Sequence, residues 1–584
     1  MTTAAGKKGS LPFVVVLALV VVLPFFGKGG MVAATILAAA LLGAPLFVII
    51  GAVTVLCFFL FAGYTDLPQY WPLVERIRSL ADNPTLLAIP MFIMSGAVMS
   101  EGQISGRLIE FARSIIGWIP GGLAMSAVVA CILFAAISGS SPATVVAIGS
   151  MMAPTLIKAG YTQRFSHGLV TSAGSLGILI PPSIPMIIYP IVNQGALIEV
   201  ESLFASGLGP GLVMGAILMG FSFYRGLIDR TPRQAFELRR IGIALRDGFW
   251  ALMFPILILG GIYSGLFNAV EAAAVSVVYA VVVEVWVHDA LRLKNVPRIF
   301  FDQGLFLGAL LVIMVTALAF SEFLEMQGIP AMMVDWIKGM NLEPWQFLLM
   351  LNVLLLVVGM AMDILSAMFV FVPLLAPVAA AMGVDPMHFG IIFIVNLEIG
   401  YLTPPVGLNL FVASALFDKP LGHVIRSVGP FIVLMLLGLG LVTYVPELSV
   451  GLGRTIMGEE APERQEQDSS SGGGMLQDEE PDEEQDAGAG ERSLEQIAKE
   501  LEELRSGDGM LNTEQMMREA ELQGQMEDRL DEVRAELEEL RSGDGMLNTE
   551  QMMREAELQG VLDEYAPDGG TGGGSGTGAP DGGM

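Results

Sequence analysis

Apolar segments long enough to cross a bilayer, about 20 residues each, recur along most of the chain. They lie at 11–27, 31–62, 85–100, 121–138, 143–157, 166–192, 204–224, 249–266, 269–287, 303–324, 345–362, 364–382, 389–415 and 429–445. This pattern predicts an all-α protein that crosses a membrane many times. Four regions are too short or too interrupted to be simple spans, namely 121–157, 166–192, 345–382 and 389–415.

Composition separates an apolar body from an acidic tail. The chain is 53% hydrophobic and only 15% charged, which excludes a soluble protein of 584 residues. Up to Glu447 there are 21 Lys and Arg against 23 Asp and Glu, so most of the net charge of −28 lies beyond that residue. Neither part is basic, which argues against a nucleic-acid partner.

The arginines between the spans predict an orientation in the membrane. Six of them fall within the segment 225–248, and Arg292, Lys294 and Arg298 mark a second loop. Basic loops stay in the cytoplasm by the positive-inside rule, so we expect both loops there. Interleaved apolar residues in 225–248 further predict a basic amphipathic helix at the membrane surface.

The two ends of the chain differ from the body. Residues 1–30 read as an extra N-terminal span, because the apolar run ends in Phe25-Phe26-Gly27-Lys28 and not in a signal-peptidase site. Residues 450–584 form an acidic low-complexity tail with two identical 25-residue copies, Glu500–Gly524 and Glu536–Gly560, at a period of 36 residues. Each copy reads as helix, turn, helix and is too short to be stable alone.

The most informative signal is an internal repeat. When Pro181-Pro182 is set against Pro404-Pro405, an offset of 223 residues, two Ala-Pro pairs and two pairs of glycines also align without a gap. The first unit reads ISGSSPATVVAIGSMMAP, KAGY and GSLGILIPPSIPM, and the second reads GMAMDILSAMFVFVPLLAP, AMGV and EIGYLTPPVGLNL. Each unit predicts an apolar hairpin with a small or polar tip, followed by a helix broken at Pro-Pro.

A Pro-Pro pair at membrane depth has physical consequences. It removes two backbone donors and disfavours a helical conformation at the preceding residue, so the helix must break. The freed carbonyl groups cannot be satisfied by lipid, and such a break persists where it lines a cavity or binds an ion. Interrupted helices in corresponding halves of a chain are typical of the binding sites of secondary transporters.

These motifs, with FGIIFIVNLEIGYLTPPVGLNLFV, resemble the large membrane subunit of TRAP (tripartite ATP-independent periplasmic) transporters, over residues 31–448. The resemblance implies a multi-pass protein of the bacterial inner membrane with an inverted-repeat, elevator-type fold. Its first repeat would span 31–224, with a re-entrant hairpin at 121–157 and a broken helix at 166–192. Its second would span 249–449, with a hairpin at 345–382 and a broken helix at 389–415.

The resemblance also implies Na⁺-coupled import of an organic anion, often a carboxylate, that a periplasmic solute-binding protein delivers. A small membrane subunit would be the other partner. The implied Na⁺ ligands are, in the first repeat, Ser138, Ser140, Ser141, Gly177, Ile180 and Pro182, and in the second, Gly359, Gly400, Thr403 and Val406. Asp363, Ser183 and Asn396 are the candidate substrate-binding residues, although Asn396 and Glu398 serve a scaffold role equally well.

Other functional classes fit the sequence less well. No GxxxxGK[ST] motif is present, so the chain is not expected to hydrolyse ATP, and no His lies near Ser140 or Ser183 as an intramembrane hydrolase requires. We therefore predict that the protein is not an enzyme. Cys57 and Cys131 both lie in apolar runs and predict buried side chains without metal or redox chemistry. An ion or solute channel of the same inverted-repeat architecture remains the alternative.

Overall fold

The computed structural model describes residues 20 and 22–457, except 72–73, 75–77, 79–82, 194, 197, 230 and 232. Most of the predicted first span and almost the whole predicted tail lie outside the described residues, so these two predictions stay predictions. Within the described residues the chain forms helices and no strand.

The first half of the body contains nine α-helices among its described residues. They are α1 (Lys28–Leu41), α2 (Leu46–Cys57), α3 (Ala88–Glu101), α4 (Ile104–Ile116), α5 (Gly122–Ser138), α6 (Ser141–Lys158), α7 (Gln163–Ser175), α8 (Ile184–Val192) and α9 (Val200–Ile228). A 3-10 turn, Leu176–Ile178, continues α7 before the chain becomes irregular at residues 179–183. The segment α5–α6 is the first hairpin, and residues 179–183 are the first break.

The second half follows the same plan in the part that the structure describes. Its helices are α10 (Leu238–Asp247), α11 (Phe249–Tyr263), α12 (Ala269–Val282), α13 (Val296–Met326), α14 (Ile329–Gly339), α15 (Pro344–Ala361), α16 (Ile364–Ala381), α17 (Pro386–Gly400), α18 (Leu408–Phe417), α19 (Leu421–Tyr444) and α20 (Val450–Met457). The segment α15–α16 is the second hairpin, and residues 401–407 are the second break.

Local sequence explains where these helices begin and end. A proline lies in the first turn of α6, α8, α15 and α17, where its missing N–H costs nothing and its fixed φ favours a helix. Gly160 and Gly383, at equivalent repeat positions, follow the two hairpins with φ of 95° and 77°, a region that favours glycine. Both Pro-Pro bonds, Pro181-Pro182 and Pro404-Pro405, are cis.

Seven helices of the described residues are long and apolar enough to cross a membrane. They are Pro84–Glu101, Val200–Ile228, Ala269–Val287, Leu293–Met326, Pro344–Ala361, Ile364–Ala381 and Leu421–Tyr444. The basic helix α10 meets α11 at a bend of 66° and buries none of its own residues. This geometry agrees with a helix that lies on the membrane surface before the chain enters the bilayer.

The two hairpins open towards opposite faces of the membrane. The start of α5 packs at Gly121 on the backbone of Ser222, close to the end of α9 that leads into the arginine-rich segment. Helix α19 begins on the same side, where His423 Nε2 lies 3.2 Å from His167 Nδ1 of α7. It ends at the other face, where the Tyr444 hydroxyl donates to the Trp345 carbonyl of α15 over 3.1 Å. The repeats are therefore inverted.

The first repeat also contacts the second at the far end of the broken helices. The Tyr189 hydroxyl of α8 donates to the Pro386 carbonyl at the start of α17 over 2.7 Å. Gly390, one helical turn later, leaves room for the Tyr189 ring, because a Cβ at that position would lie 2.7 Å from a ring carbon. The predicted all-α membrane fold with two hairpins and two broken helices is confirmed.

Candidate functional site

The tip of the first hairpin packs directly against the first break. Gly139 forms the turn between α5 and α6 with φ of 56° and ψ of 13°. A Cβ on this residue would lie 2.8 Å from the Pro182 carbonyl oxygen, closer than real Cβ contacts allow. On the other side of the break, a Cβ on Gly177 would lie 2.6 Å from the Ser140 carbonyl oxygen. Glycine at both positions therefore lets two stretches of irregular backbone meet.

Hydroxyl groups surround this meeting point. The Ser138 Oγ lies 3.0 Å from the Thr144 Oγ1, and Thr144 donates to the Ser140 carbonyl over 2.8 Å. The Ser141 hydroxyl accepts a hydrogen bond of 2.5 Å from the Asn409 amide of α18, which belongs to the other repeat. Carbonyl and hydroxyl oxygens thus converge at the first tip, and they are the type of ligand that binds Na⁺ at unwound helices.

The second hairpin meets the second break in the same way, with fewer hydroxyl groups. A Cβ on Gly400 would lie 2.6 Å from the Gly359 Cα, so no side chain fits between these backbones. The Val406 N–H donates to the Met360 carbonyl over 3.1 Å, which ties the break to the hairpin. The Thr403 hydroxyl donates to the Ile399 carbonyl over 2.8 Å and keeps its lone pairs available.

A cavity of about 470 Å³ lies between the two tips. Its lining includes residues from the first turn of four helices that start at a tip or a break: Pro142 of α6, Ile184 of α8, Ile364 of α16 and Leu408 of α18. Each helix N-terminus carries a partial positive charge, which favours anions. Among the described lining residues there is no Lys, Arg or His, so the positive charge at this cavity comes from the helix N-termini.

Larger hollows lie elsewhere and involve neither a tip nor a break. One of about 830 Å³ is lined by Arg107 and Arg240, and one of about 530 Å³ by Glu199 and Glu271. Both lie outside the meeting points of hairpins and broken helices. The 470 Å³ cavity is therefore the one that combines irregular backbone, hydroxyl groups and helix ends.

Asp363 lines this cavity at the tip of the second hairpin. Its carboxylate caps α16, since it accepts from the Ser366 N–H over 3.0 Å and from the Ser366 hydroxyl over 2.6 Å. An aspartate at an N-cap stabilises its own helix and offsets part of the positive end. The structure thus gives Asp363 a capping contact in addition to a place beside the cavity.

The other two candidate substrate residues lie outside the cavity lining. The Ser183 hydroxyl donates to the Ile178 carbonyl over 2.5 Å, within the first break. Asn396 is fully buried in α17 and donates to the Asn352 Oδ1 of α15 over 2.7 Å, and Asn352 in turn donates to the Thr443 hydroxyl over 3.1 Å. The structure brings neither side chain to the cavity, and their role in substrate binding remains a prediction.

Three residues at the site were not singled out from the sequence. Thr144 adds a hydroxyl group at the first tip, Asn409 links the first tip to α18, and the Tyr401 hydroxyl accepts from the Ile364 N–H over 3.0 Å at the second tip. Thr144 stands four residues after Ser140, and Asn409 follows the second break by two residues. Helical spacing from the tips would have found Thr144, whereas the cross-repeat contacts required the fold.

Comparisons with known proteins agree with this architecture. Residues 33–448 match the family described as "Tripartite ATP-independent periplasmic transporter, DctM component". The chain is 42% identical over 386 residues, 65% of this chain and 90% of the relative, to the C4-dicarboxylate TRAP transporter large permease protein DctM of Pseudomonas aeruginosa. It is 35% identical over 426 residues, 72% of this chain and 97% of the relative, to the ectoine TRAP transporter large permease protein TeaC of Halomonas elongata.

A third relative and a solved structure extend the comparison. The sialic acid TRAP transporter large permease protein SiaM of Vibrio cholerae is 33% identical over 384 residues, 65% of this chain and 88% of the relative. The crystal structure of the Alcanivorax borkumensis YdaH transporter matches with a TM-score of 0.52 at 14% identity, covering 70% of this chain and 96% of that chain, which bears on the fold alone. The relatives are transport permeases, and the chain belongs to the TRAP transporter family as its large, multi-pass subunit in the inner membrane.

Proposed function

We propose that this subunit imports an organic anion, most simply a carboxylate, together with Na⁺. The observation that carries this proposal is the cavity at which four helix N-termini and two hairpin tips converge. An anion in such a cavity gains the partial positive charge of the helix ends without a buried cationic side chain. C4-dicarboxylates, ectoine and sialic acid, named for three relatives, all carry a carboxylate group.

Na⁺ supplies the positive charge that side chains do not. At the first tip the Pro182 carbonyl of the break faces the hairpin, and the hydroxyl groups of Ser138 and Thr144 lie close to each other. At the second tip the Gly359 carbonyl of the hairpin faces Gly400, and Thr403 of the break adds a hydroxyl group. Within the described part of the chain no cluster of three or more His, Cys, Asp or Glu side chains is present, so these neutral oxygens are the available ligands. Two such places predict at least two coupled ions.

The proposed movement is of the elevator type. Each hairpin is joined to a broken helix through close backbone contacts, at Gly139 with Pro182 and at Gly359 with Gly400. Units that contact each other this closely move as one body, and the cavity then travels with them while other helices stay in place. A small membrane subunit and a periplasmic binding protein complete the transporter that we propose, and the binding protein selects the substrate.

Uptake into proteoliposomes tests the proposal. The chain is reconstituted with its small subunit and its binding protein, and the vesicles are given labelled succinate, ectoine or sialic acid under an inward Na⁺ gradient. We expect uptake of at least one probe that saturates with Na⁺ and falls to background in K⁺ or choline. Equal uptake with K⁺ or choline would refute Na⁺ coupling, and full-rate uptake by the purified chain alone would refute the need for partners.

A second measurement separates a carrier from a channel. Vesicles loaded with unlabelled probe are placed in a trace of labelled probe without any ion gradient. A carrier exchanges the two and accumulates label transiently, whereas a channel only equilibrates it. Absence of counterflow, with uptake intact, would favour the channel of the same architecture.

A further inference from the structure

Ser175 and Glu398 occupy equivalent positions of the two repeats, 223 residues apart, and they contact each other. The Ser175 hydroxyl lies 2.9 Å from the Glu398 Oε1, and both residues are completely buried. Equivalent residues of two inverted repeats meet only near the axis that relates the repeats. The contact therefore marks the centre of the molecule, between the two broken helices.

The contact lies immediately before both breaks. Ser175 is the last residue of α7, two residues ahead of Gly177, whose position leaves no room for a side chain beside the Ser140 carbonyl. Glu398 is two residues ahead of Gly400, the last residue of α17, which packs on Gly359 in the same manner. One hydrogen bond thus joins the helix ends that lead into the two breaks, where the two candidate ion sites lie.

A scaffold role alone accounts poorly for a glutamate at this place. Burying a carboxyl group is costly unless its oxygens are hydrogen-bonded. In the part of the chain that the structure describes, the Glu398 Oε2 has no hydrogen-bond partner, and Ser175 is the partner of the Oε1. The side chain is therefore held at its buried position by its repeat-equivalent residue.

We propose that the Ser175–Glu398 contact couples the two Na⁺ sites, so that an ion at one break raises the affinity of the other. This inference rests on the proposed function, because it requires that both breaks bind Na⁺. Ordering of the carbonyl groups around one ion fixes the end of its helix, and the hydrogen bond transmits this fixed position to the end of the other helix. Both residues act as positioning residues, and neither needs to touch an ion. The coupling must be reciprocal between the sites.

Binding of radioactive Na⁺ to the purified full-length chain with its small subunit tests the coupling without any knowledge of the substrate. We expect a sigmoidal isotherm for the natural protein. In Ser175→Ala the Hill coefficient falls to about 1, and the steep part of the curve shifts to several-fold higher Na⁺, as loss of a typical coupling free energy predicts. A loss of stability alone would lower the number of active molecules and leave the shape of the curve unchanged.

Ser172→Ala is the matched control. Ser172 lies in the same helix, is also fully buried, and its hydroxyl has no hydrogen-bond partner among the described residues. This variant removes a hydroxyl group one turn away and keeps the cross-repeat contact, so its isotherm stays sigmoidal. Glu398→Gln keeps the size and one hydrogen-bonding oxygen, and we expect it to retain the cooperativity.

Glu398→Met provides a second test of the contact if Ser175→Ala fails to fold. It removes the contact with an apolar side chain of similar volume and leaves no buried acid unpaired, and it should also lower the Hill coefficient to about 1. A cooperative isotherm in folded Ser175→Ala or Glu398→Met, or a non-cooperative natural protein, overturns the coupling while Na⁺ binding stands. An equal loss in Glu398→Gln would contradict a hydrogen-bonded link. No saturable Na⁺ binding in the natural protein would instead refute the proposed function.

Discussion

The two hairpin tips share a backbone arrangement but carry different side chains. At the first tip Gly139 turns in the left-handed region, while the equivalent Met362 at the second tip is extended, with φ of −142° and ψ of 166°. Ser138, Ser141 and Thr144 of the first hairpin correspond to Ala361, Ile364 and Ala367 of the second. Asp363, which caps its own helix, stands in the place of Ser140.

This comparison separates what the repeat conserves from what it varies. Both halves keep a close glycine contact between the hairpin and the broken helix, so this close approach of two backbones is duplicated. The hydroxyl groups are not duplicated at equivalent positions, because Ser138 and Thr144 of the first hairpin correspond to alanines, and Thr403 of the second break corresponds to Ile180. The backbone contact beside each proposed ion site is therefore present twice, while the side chains beside the cavity differ between the halves.

The largest expected effect comes from the turn of the first tip. Gly139→Ala forces a side chain into a left-handed turn and against the Pro182 carbonyl, and displacement of the tip should lower Na⁺-driven uptake by more than about tenfold. Met362→Ala, at the equivalent extended position, should stay within about twofold of the natural protein, because an extended backbone suits any residue. Equal losses of uptake in both variants would show that the two tips do not differ in their need for a left-handed residue.

The second repeat is tested at Gly400. Gly400→Ala places a methyl group 2.6 Å from the Gly359 Cα without any strained φ, so we expect a smaller loss than at Gly139, about five- to tenfold. Uptake is normalised to the amount of protein in the membrane. Gly422→Ala in α19 is the control, since a Cβ there meets nothing within 4 Å. Normal uptake in Gly400→Ala would show that transport does not depend on the close contact between Gly359 and Gly400.

The uneven supply of hydroxyl groups predicts an uneven response to their removal. Thr403→Ala should raise the Na⁺ concentration for half-maximal uptake by about fivefold, because it removes a hydroxyl group at the tip where fewer are present. Ser140→Ala should raise it only about twofold, because other hydroxyl groups and the Ser140 carbonyl itself remain at the first tip. Unchanged Na⁺ dependence in both variants, at normal expression, would contradict the ligand assignment.

The smallest effect is expected outside the repeats. A chain that ends at Arg454 keeps the bond of 2.9 Å between Arg454 and Asp385, which caps α17, and loses the acidic tail. We expect uptake to stay within about twofold, because a partly exposed ion pair and an acidic, low-complexity tail contribute little to the membrane body. Loss of uptake in a shortened protein that still reaches the membrane would give the tail a role in transport.

The sequence was sufficient to predict the helices, hairpins and breaks, and insufficient to predict the contacts of their side chains. Pro-Pro pairs, Gly turns and apolar length are local signals, and the helices α5–α6 and α15–α16 lie within a few residues of the predicted hairpins. The capping contact of Asp363, the position of Asn396 against Asn352 and the contact between Ser141 and Asn409 depend on rotamers and on packing between repeats. A linear pattern of residue types does not encode them, because a constant offset identifies equivalent residues and not neighbours.

Three contacts described above join the two halves of the body. Two of them lie at opposite ends, between Tyr189 and Pro386 and between His167 and His423, and the third lies near the cavity, between Ser141 and Asn409. The covalent link between the halves, by contrast, runs through an exposed basic segment that buries none of the residues of α10. The body is thus an intramolecular counterpart of a two-chain assembly, with one copy of each half in every molecule. Contacts between the repeats, and not the chain connection alone, hold the two halves against each other.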